Sequence, residues 1–162
     1  MNIKLKNKYL HYLNYKIKCS IGKNGIGKNK KEGDLKTPSG VFKLKQIFYR
    51  KDRIKFIKTN LKKTIIRKNM GWCDDITSKY YNKLIRFPFD KSAERLWRKD
   101  NIYDFIIVIN YNLSPILKNK GSAIFLHLCS KNYNPTKGCV AIKKKDMIML
   151  AAKIKKSTKI II

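Results

Sequence analysis

A histidine and a cysteine in the C-terminal third of the chain could together perform nucleophilic catalysis. His127 stands near the end of an apolar stretch, and Cys139 follows twelve positions later, directly after Gly138. A thiol becomes a strong nucleophile once it loses its proton, which a neighbouring imidazole can accept, and a cationic environment is expected to lower the pKa of the thiol toward neutrality. On spacing alone, such a pair is more often two unrelated core residues.

Two apolar segments would have to bring these residues together. Residues 123–128 and 140–142 are apolar runs bounded by polar loops, which predicts two buried strands. If the strands pair antiparallel through the loop between them, opposite residues have Cβ atoms about 4.5–5.5 Å apart, close enough for an imidazole to reach a thiol. Alternation along the first strand predicts that Cys129 lies on the same side as His127.

The residues around the cysteine allow two further interpretations. Gly138 permits a sharp turn, so that the N–H groups of Gly138 and Cys139 could face the oxyanion that forms during acyl transfer. A zinc site is the weaker alternative, because structural zinc sites favour closely spaced cysteine pairs and the chain has none. Its ligands would be drawn from His127, Cys129, Cys139 and Cys73.

The rest of the chain predicts a mostly β fold with one or two short helices. Alternating apolar and lysine residues over the first twenty positions predict strands, and an apolar run over 105–110 predicts a buried one. Residues 22–40 are rich in turn-forming residues and lead into a strand near 41–44. The spacing of apolar residues over 144–154 predicts a helix.

Residues 50–100 are interpreted as an elaborated loop region laid over a sheet, forming one wall of a cleft. Asp74 and Asp75 lie side by side there, and neighbouring residues in an extended segment point to opposite faces, so a turn cap is favoured over a metal site. Residues 158–162 are predicted as a closing strand. The length fits one domain spanning residues 1–162.

The composition argues against several classes of protein. The 39 basic and 10 acidic residues give a net charge of +29, which would suit an anionic partner such as nucleic acid or a cell-wall polymer. Most of the basic residues are lysines scattered along the chain, so compositional drift explains them better and nucleic-acid binding is not expected. No apolar run approaches the ~18 residues of a membrane span, and the first twenty residues lack the apolar stretch of a secretory signal. The cysteines are far apart, so a disulfide scaffold is not expected.

Two motifs resemble those of a known enzyme family. Thr136-x-Gly138-Cys139-Val140, with His127 upstream on a strand, is similar to the signature of the L,D-transpeptidase catalytic domain of the YkuD type, which is His, a loop, then Ser/Thr-x-Gly-Cys-Ile/Val. Thr37-Pro38-Ser39-Gly40-Val41-Phe42 is similar to a second hallmark, Thr-Pro-x-Gly-x-Phe. Residues 121–127 and 71–75 resemble a compact single-domain branch of this family, and the likeness runs from about residue 15 to the C-terminus.

This resemblance implies a curved β-sandwich with Cys139 as nucleophile and His127 as general base and acid. In such enzymes the thiolate attacks the carbonyl of the third residue of a peptidoglycan stem peptide and expels the terminal D-alanine. An amine then resolves the thioester, or water does so in a hydrolytic relative. The group that orients His127 is left open between Ser122, Thr136 and a backbone carbonyl.

The chain departs from the family pattern at two positions beside the cysteine. Lys137 stands where the family often has histidine or a small polar residue, and Ala141 stands where arginine is common. Both departures concern recognition of the donor substrate and leave the nucleophile and its base in place. Four aromatic residues are candidates to line the cleft: Trp72, Tyr81, Tyr103 and Tyr133.

The implied partners follow from this chemistry. Peptidoglycan stem peptides are the expected substrates, no metal or organic cofactor is implied, and a monomer is favoured. The cell envelope or periplasm is the expected location because the substrate lies there, with the cytoplasm as the alternative. A second, different function is also carried forward: a non-catalytic basic protein that binds nucleic acid or an anionic wall polymer.

Overall fold

The computed structural model describes residues 1–162 and shows a mostly β chain with one helix. The elements are, in chain order, β1 (Ile3–Lys6), β2 (Tyr9–Tyr12), β3 (Tyr15–Ser20), β4 (Ile26–Gly27), β5 (Thr37–Pro38), β6 (Val41–Tyr49), β7 (Lys62–Ile65), β8 (Met70–Cys73), β9 (Leu84–Arg86), β10 (Ala93–Arg95), β11 (Phe105–Ile109), β12 (Phe125–Leu128), β13 (Val140–Ile142), α1 (Lys144–Lys153) and β14 (Lys159–Ile161). The strands predicted near the N-terminus, within residues 105–110, 123–128 and 140–142, and at the C-terminus are all present.

Eight strands form a ring that closes on itself. The order around the ring is β11-β12-β13-β3-β2-β1-β14-β6, and β6 completes it by pairing antiparallel with β11, where Ile107 lies opposite Ile47. Strand β6 is long enough for its first part to pair with β14 and its second part with both β11 and β7. The predicted sandwich is therefore corrected to a closed barrel, because the β6–β11 pairing leaves one continuous wall instead of two facing sheets.

Strand β11 is buried on both faces, which explains its unbroken apolar sequence. Phe105, Ile107 and Ile109 join a core cluster to which every strand of the ring contributes, so they face the interior of the barrel. Ile106 and Val108 alternate with them and enter a second cluster outside the barrel wall. The wall therefore separates two apolar cores.

The segment between residues 50 and 100 covers the second core from outside. Strands β8, β9 and β10 form a small sheet in the order β10-β8-β9, and β8 contributes Met70 and Trp72 to this core. Arg53 fastens the segment to the barrel through Asp104, with Nη1 and Oδ1 2.8 Å apart. The predicted cover over the sheet is confirmed, but the region also holds four strands of three or four residues, which are too short to show an alternating pattern.

Two local predictions are also confirmed. Asp75 caps a turn, because its Oδ1 accepts hydrogen bonds from the backbone N–H of Thr77 at 2.8 Å and from the Thr77 hydroxyl at 2.6 Å. Helix α1 places Met147 and Leu150, both fully buried, in the barrel core. It is the one helix of the structure, and it is too short and too polar to cross a membrane.

Replacing Ile107 by alanine should lower the free energy of unfolding by about 2–5 kcal/mol, because the lost methyl groups leave a cavity where β11 joins both β12 and β6. Ile148→Ala is the matched control, since that side chain is 38% exposed on α1 and should change stability by less than about 1 kcal/mol. Urea unfolding at neutral pH measures both. Equal losses in the two variants would contradict the burial of Ile107 in the barrel core.

Candidate active site

A cavity of about 530 Å³ opens at the edge of the second core. His127 and Cys139 both line it, although only 6% and 8% of their surfaces are exposed. Its other polar or titratable lining residues include Lys30, Glu32, Asp74, Glu94, Arg95, Arg98, Tyr103, Ser122, Cys129, Thr136 and Lys137. The two residues that the sequence singled out therefore face one common space.

Strands β12 and β13 run parallel, so the antiparallel prediction is wrong. His127 lies opposite Ala141 in the register of the pair. Residues 129–139 carry the chain back to the starting end of β12, a return that a parallel pair requires and a hairpin does not. Alternation still places Cys139, Ala141 and His127 on one face of the barrel wall, with the thiol diagonal to the imidazole.

The turn before Cys139 depends on Thr136 and Gly138. The Thr136 hydroxyl donates to the Cys139 carbonyl at 2.6 Å and accepts from the Gly138 N–H at 3.1 Å, so it holds both sides of the turn. Gly138 has a φ of 142°, and a Cβ there would lie 2.9 Å from the carbonyl oxygen of Lys36. The two sequence motifs meet at this point, because Lys36 directly precedes Thr37.

Backbone groups leading into β12 hold the Cys139 thiol. Sγ accepts a hydrogen bond from the Phe125 N–H at 3.3 Å and donates to the Ala123 carbonyl at 3.1 Å. Ala123 has a φ of 50°, which is uncommon for a residue with a side chain, and Asn82 Oδ1 supports it by accepting from the Ala123 N–H at 3.1 Å. The same oxygen accepts from Trp72 Nε1 at 2.9 Å. Trp72 therefore acts through Asn82 on the carbonyl that contacts the thiol.

A backbone carbonyl orients the ring of His127. Nδ1 lies 2.9 Å from the Leu128 carbonyl oxygen, which can only accept, so Nδ1 carries the proton and Nε2 of the neutral ring keeps its lone pair. The ring of Tyr103 packs edge-on against the imidazole, with centroids 5.3 Å apart. Neither Ser122 nor Thr136 hydrogen-bonds to the ring, although both line the cavity.

Burial controls the ionisation of this pair. It raises the pKa of the Cys139 thiol to about 12, and the nearby Glu94 carboxylate acts in the same direction. It lowers the pKa of His127 to about 4, because the imidazolium would lose its hydration. The predicted lowering of the thiol pKa by cationic surroundings is therefore wrong, since desolvation outweighs the scattered lysines. At neutral pH a protonated thiol and a neutral imidazole face the cavity.

Glu94 is a residue of the site that the sequence did not reveal. Its carboxylate accepts a hydrogen bond from the Tyr103 hydroxyl at 2.8 Å, and burial raises its pKa against the opposing effects of that bond and of Arg98. It lies in a segment of mixed charged and aromatic residues in which no spacing rule marks one position. Four basic and three acidic side chains line the cavity, so the net charge of +29 is not concentrated there.

Only one of the four aromatic residues predicted to line the cleft does so, namely Tyr103. Trp72 is 5% exposed and packs in the second core instead. Tyr81 is also buried, and its hydroxyl donates to Glu32, which does line the cavity. Tyr133 lines a different hollow of the surface. Residue type alone could not separate these positions, because aromatic side chains fill cores as well as clefts.

The structure does not bring the proposed zinc ligands together. No group of three His, Cys, Asp or Glu side chains lies close enough to hold a metal ion. Cys129 lines the cavity as predicted, whereas Cys73 is fully buried on β8. All four cysteines are free thiols.

The two backbone N–H groups that were predicted to face an oxyanion differ in their engagement. The N–H of Gly138 donates to Thr136 within the turn. The N–H of Cys139 has no hydrogen-bond partner in the chain. It is therefore the backbone donor that a substrate oxygen beside the thiol could use.

Comparison with known proteins places nearly the whole chain in one family. The family model YkuD, described as the L,D-transpeptidase catalytic domain, matches residues 6–162. The matched range contains both sequence motifs and every residue that lines the cavity. No curated protein and no solved structure matches the chain significantly.

Acid should destabilise the fold through His127. Its pKa is lower in the folded chain than in the unfolded one, so the unfolded state takes up the proton first and stability falls as the pH drops from about 6.5 to about 4. The loss due to this group should reach roughly 3 kcal/mol at the lower pH.

Urea unfolding of the wild type and of His127→Gln at several pH values measures this contribution. The variant should lose less stability over that interval, whereas His11→Gln, which leaves His127 in place, should follow the wild type. An unchanged pH dependence in His127→Gln would contradict the neutral, buried imidazole.

Proposed function

Because the chain belongs to the YkuD family of L,D-transpeptidase catalytic domains, whose members are cysteine-dependent enzymes that act on peptidoglycan, we propose that it is an L,D-transpeptidase with Cys139 as nucleophile and His127 as base. The donor is a peptidoglycan stem peptide, and the acceptor is an amine. The enzyme passes the acyl group from one to the other through a thioester.

One observation carries this proposal. The thiol of Cys139 and the neutral ring of His127 line the same cavity, and Nε2 is the ring nitrogen that keeps a free lone pair. A base must be unprotonated to accept a proton, and the low pKa of His127 keeps it so at neutral pH. The pair therefore starts as a neutral imidazole and a protonated thiol that donates to the Ala123 carbonyl, and the thiol proton must turn from that carbonyl to Nε2 when the substrate reacts.

Acylation begins when Sγ of Cys139 attacks the carbonyl carbon of the third residue of the stem peptide. Nε2 of His127 takes the thiol proton as the C–S bond forms, because a thiol with a pKa of about 12 does not ionise by itself at neutral pH. Negative charge develops on the carbonyl oxygen, where the free N–H of Cys139 can donate to it. The C–N bond to the terminal D-alanine then breaks, and His127 returns the proton to the leaving amine.

In deacylation an amine is the nucleophile and the Cys139 sulfur is the leaving group. The amine of the acceptor attacks the thioester carbon while His127 removes one of its protons. The C–S bond breaks, and the proton passes from His127 to the Cys139 sulfur, which restores the thiol. The products are a new amide and the starting enzyme.

The match to a family of transpeptidases supports transfer to an amine over hydrolysis. The chain has only ten acidic residues, and three of them, Glu32, Asp74 and Glu94, line this cavity. Four basic side chains line the cavity as well, so these carboxylates can accept hydrogen bonds from an amine acceptor without making the cavity anionic. Because peptidoglycan lies in the cell envelope, we propose that the enzyme acts there.

Incubation with a carbapenem or a stem tetrapeptide should add one acyl mass to the wild-type chain, and peptide mapping should locate it at Cys139. Cys139→Ser should form no thioester adduct. His127→Gln should acylate about 100- to 10,000-fold more slowly, because it loses the base. Intact-mass spectrometry under reducing conditions measures all three.

Cys129→Ser is the matched control for this experiment, since Cys129 is a second thiol of the same cavity and is outside the proposed machinery. It should acylate at the wild-type rate. An adduct at Cys129, or no adduct at all, would count against the proposal. Tight, salt-sensitive polyanion binding without an adduct would favour the non-catalytic alternative.

Product analysis should distinguish transferase from hydrolase. With a tetrapeptide and an excess of an amine acceptor, we expect mainly the amide-linked product, together with free D-alanine. With the tetrapeptide alone, release of the tripeptide should be slower. Equal rates of tripeptide release with and without the amine would identify a hydrolytic L,D-carboxypeptidase instead.

A further inference from the structure

Lys30 is the buried cation of the cavity wall. Only 4% of its surface is exposed, whereas Arg95 and Lys137 are exposed and Arg98 is half-buried. Burying a charged amine is costly unless its donors find acceptors. The position of this ammonium group therefore needs a reason.

Two glycines create the path that brings Lys30 to the thiol. A Cβ at Gly121 would lie 2.7 Å from Cε of Lys30, so the aliphatic stem runs where a side chain at position 121 would stand. A Cβ at Gly138 would lie 3.5 Å from Nζ, so the ammonium group ends beside the residue that precedes Cys139. Lys30 also lowers the pKa of the Cys139 thiol, against the larger effect of burial, which agrees with this proximity.

The hydrogen bonds of the ammonium group leave one proton unused. Nζ donates to Asp34 Oδ1 at 2.6 Å and to the Lys31 carbonyl at 3.3 Å, while an ammonium group has three donors. Asp34 is itself fixed, because its carboxylate also accepts from the backbone N–H groups of Lys31 and Lys36 at 2.8 and 2.9 Å. The pair is thus held in place by the loop, with one donor left at the cavity wall.

One of the two backbone N–H groups beside the thiol is already engaged, and Lys30 can supply a further hydrogen-bond donor in its place. Gly138 uses its N–H within the turn, so of these two backbone N–H groups only that of Cys139 is free for a substrate oxygen. We propose that Lys30 donates a hydrogen bond from its third ammonium N–H to an anionic oxygen of the acyl donor beside Cys139, with no transfer of the proton. This inference rests on the proposed function.

Two oxygens of the donor fit this chemistry. One is the attacked carbonyl oxygen, which becomes negative only in the transition state, so the loss of Lys30 would lower kcat. The other is the carboxylate of the terminal residue, which is charged already in the ground state, so the loss of Lys30 would raise KM. A tetrapeptide and its C-terminal amide separate the two, because only the first carries the carboxylate.

The test compares the double variant Lys30→Met/Asp34→Asn with Asp34→Asn. Removing Lys30 alone would leave Asp34 as an unpaired, partly buried carboxylate and could unfold the loop, whereas removing both charges avoids this. The double variant should acylate about 100-fold more slowly than Asp34→Asn, the cost of losing one donor to a developing oxyanion. Lys28→Met, which changes an exposed lysine of the same loop, should stay within about twofold of the wild type.

Comparing the tetrapeptide with its C-terminal amide then shows which oxygen of the donor Lys30 contacts. A loss of kcat with both the tetrapeptide and its amide assigns the oxyanion, and a higher KM with the tetrapeptide alone assigns the carboxylate. Equal rates in the double variant and Asp34→Asn would overturn the proposal and leave Lys30 a structural role in the loop. A wild-type chain that forms no acyl adduct would instead refute the proposed function, and this is seen before any variant is compared.

Discussion

The alternation of side chains along the parallel pair β12–β13 is the constraint on which the site depends. Leu126 and Val140 point into the barrel core and are fully buried, and this fixes the opposite face for His127 and Cys139. A slip of one residue in β12 would turn the imidazole into an apolar core and expose leucine to the cavity. The geometry of the candidate catalytic pair is thus enforced by residues that carry no chemistry.

The burial that enforces this geometry also determines the ionisation of the pair. Both side chains sit on the second core, where water is largely excluded, so the charged forms of thiol and imidazole are disfavoured together. In the proposed reaction, charge then appears only as the substrate reacts, in a setting where each hydrogen-bond donor stabilises charge more than it does in water. For the chemistry of this site, the free hydrogen-bond donors around Cys139 therefore matter more than the net charge of the protein.

Local features of this site were predictable from the sequence, and non-local ones were not. The apolar runs around His127 and after Cys139 predicted their strands, because periodicity depends only on neighbouring residues. The direction of pairing depends on distant partners: β13 lies between β12 and β3, and Ala141 pairs with Ser20, far away in the chain. The role of Trp72 was hidden for the same reason, since it acts through Asn82, and no sequence pattern links these two residues to the cysteine.

The second sequence motif, residues 37–42, positions the parts of the site and contributes no reacting group to it. Thr37 is fully buried, does not line the cavity, and accepts a hydrogen bond from the Gly22 N–H at 2.8 Å through its hydroxyl. This bond closes the base of the loop that carries Lys30, and a bridge between Gly22 and Thr136 ties the same base to the turn before the cysteine. Because the carbonyl before Thr37 also packs on Gly138, one motif positions the other. The two motifs therefore meet in the fold at the turn before Cys139.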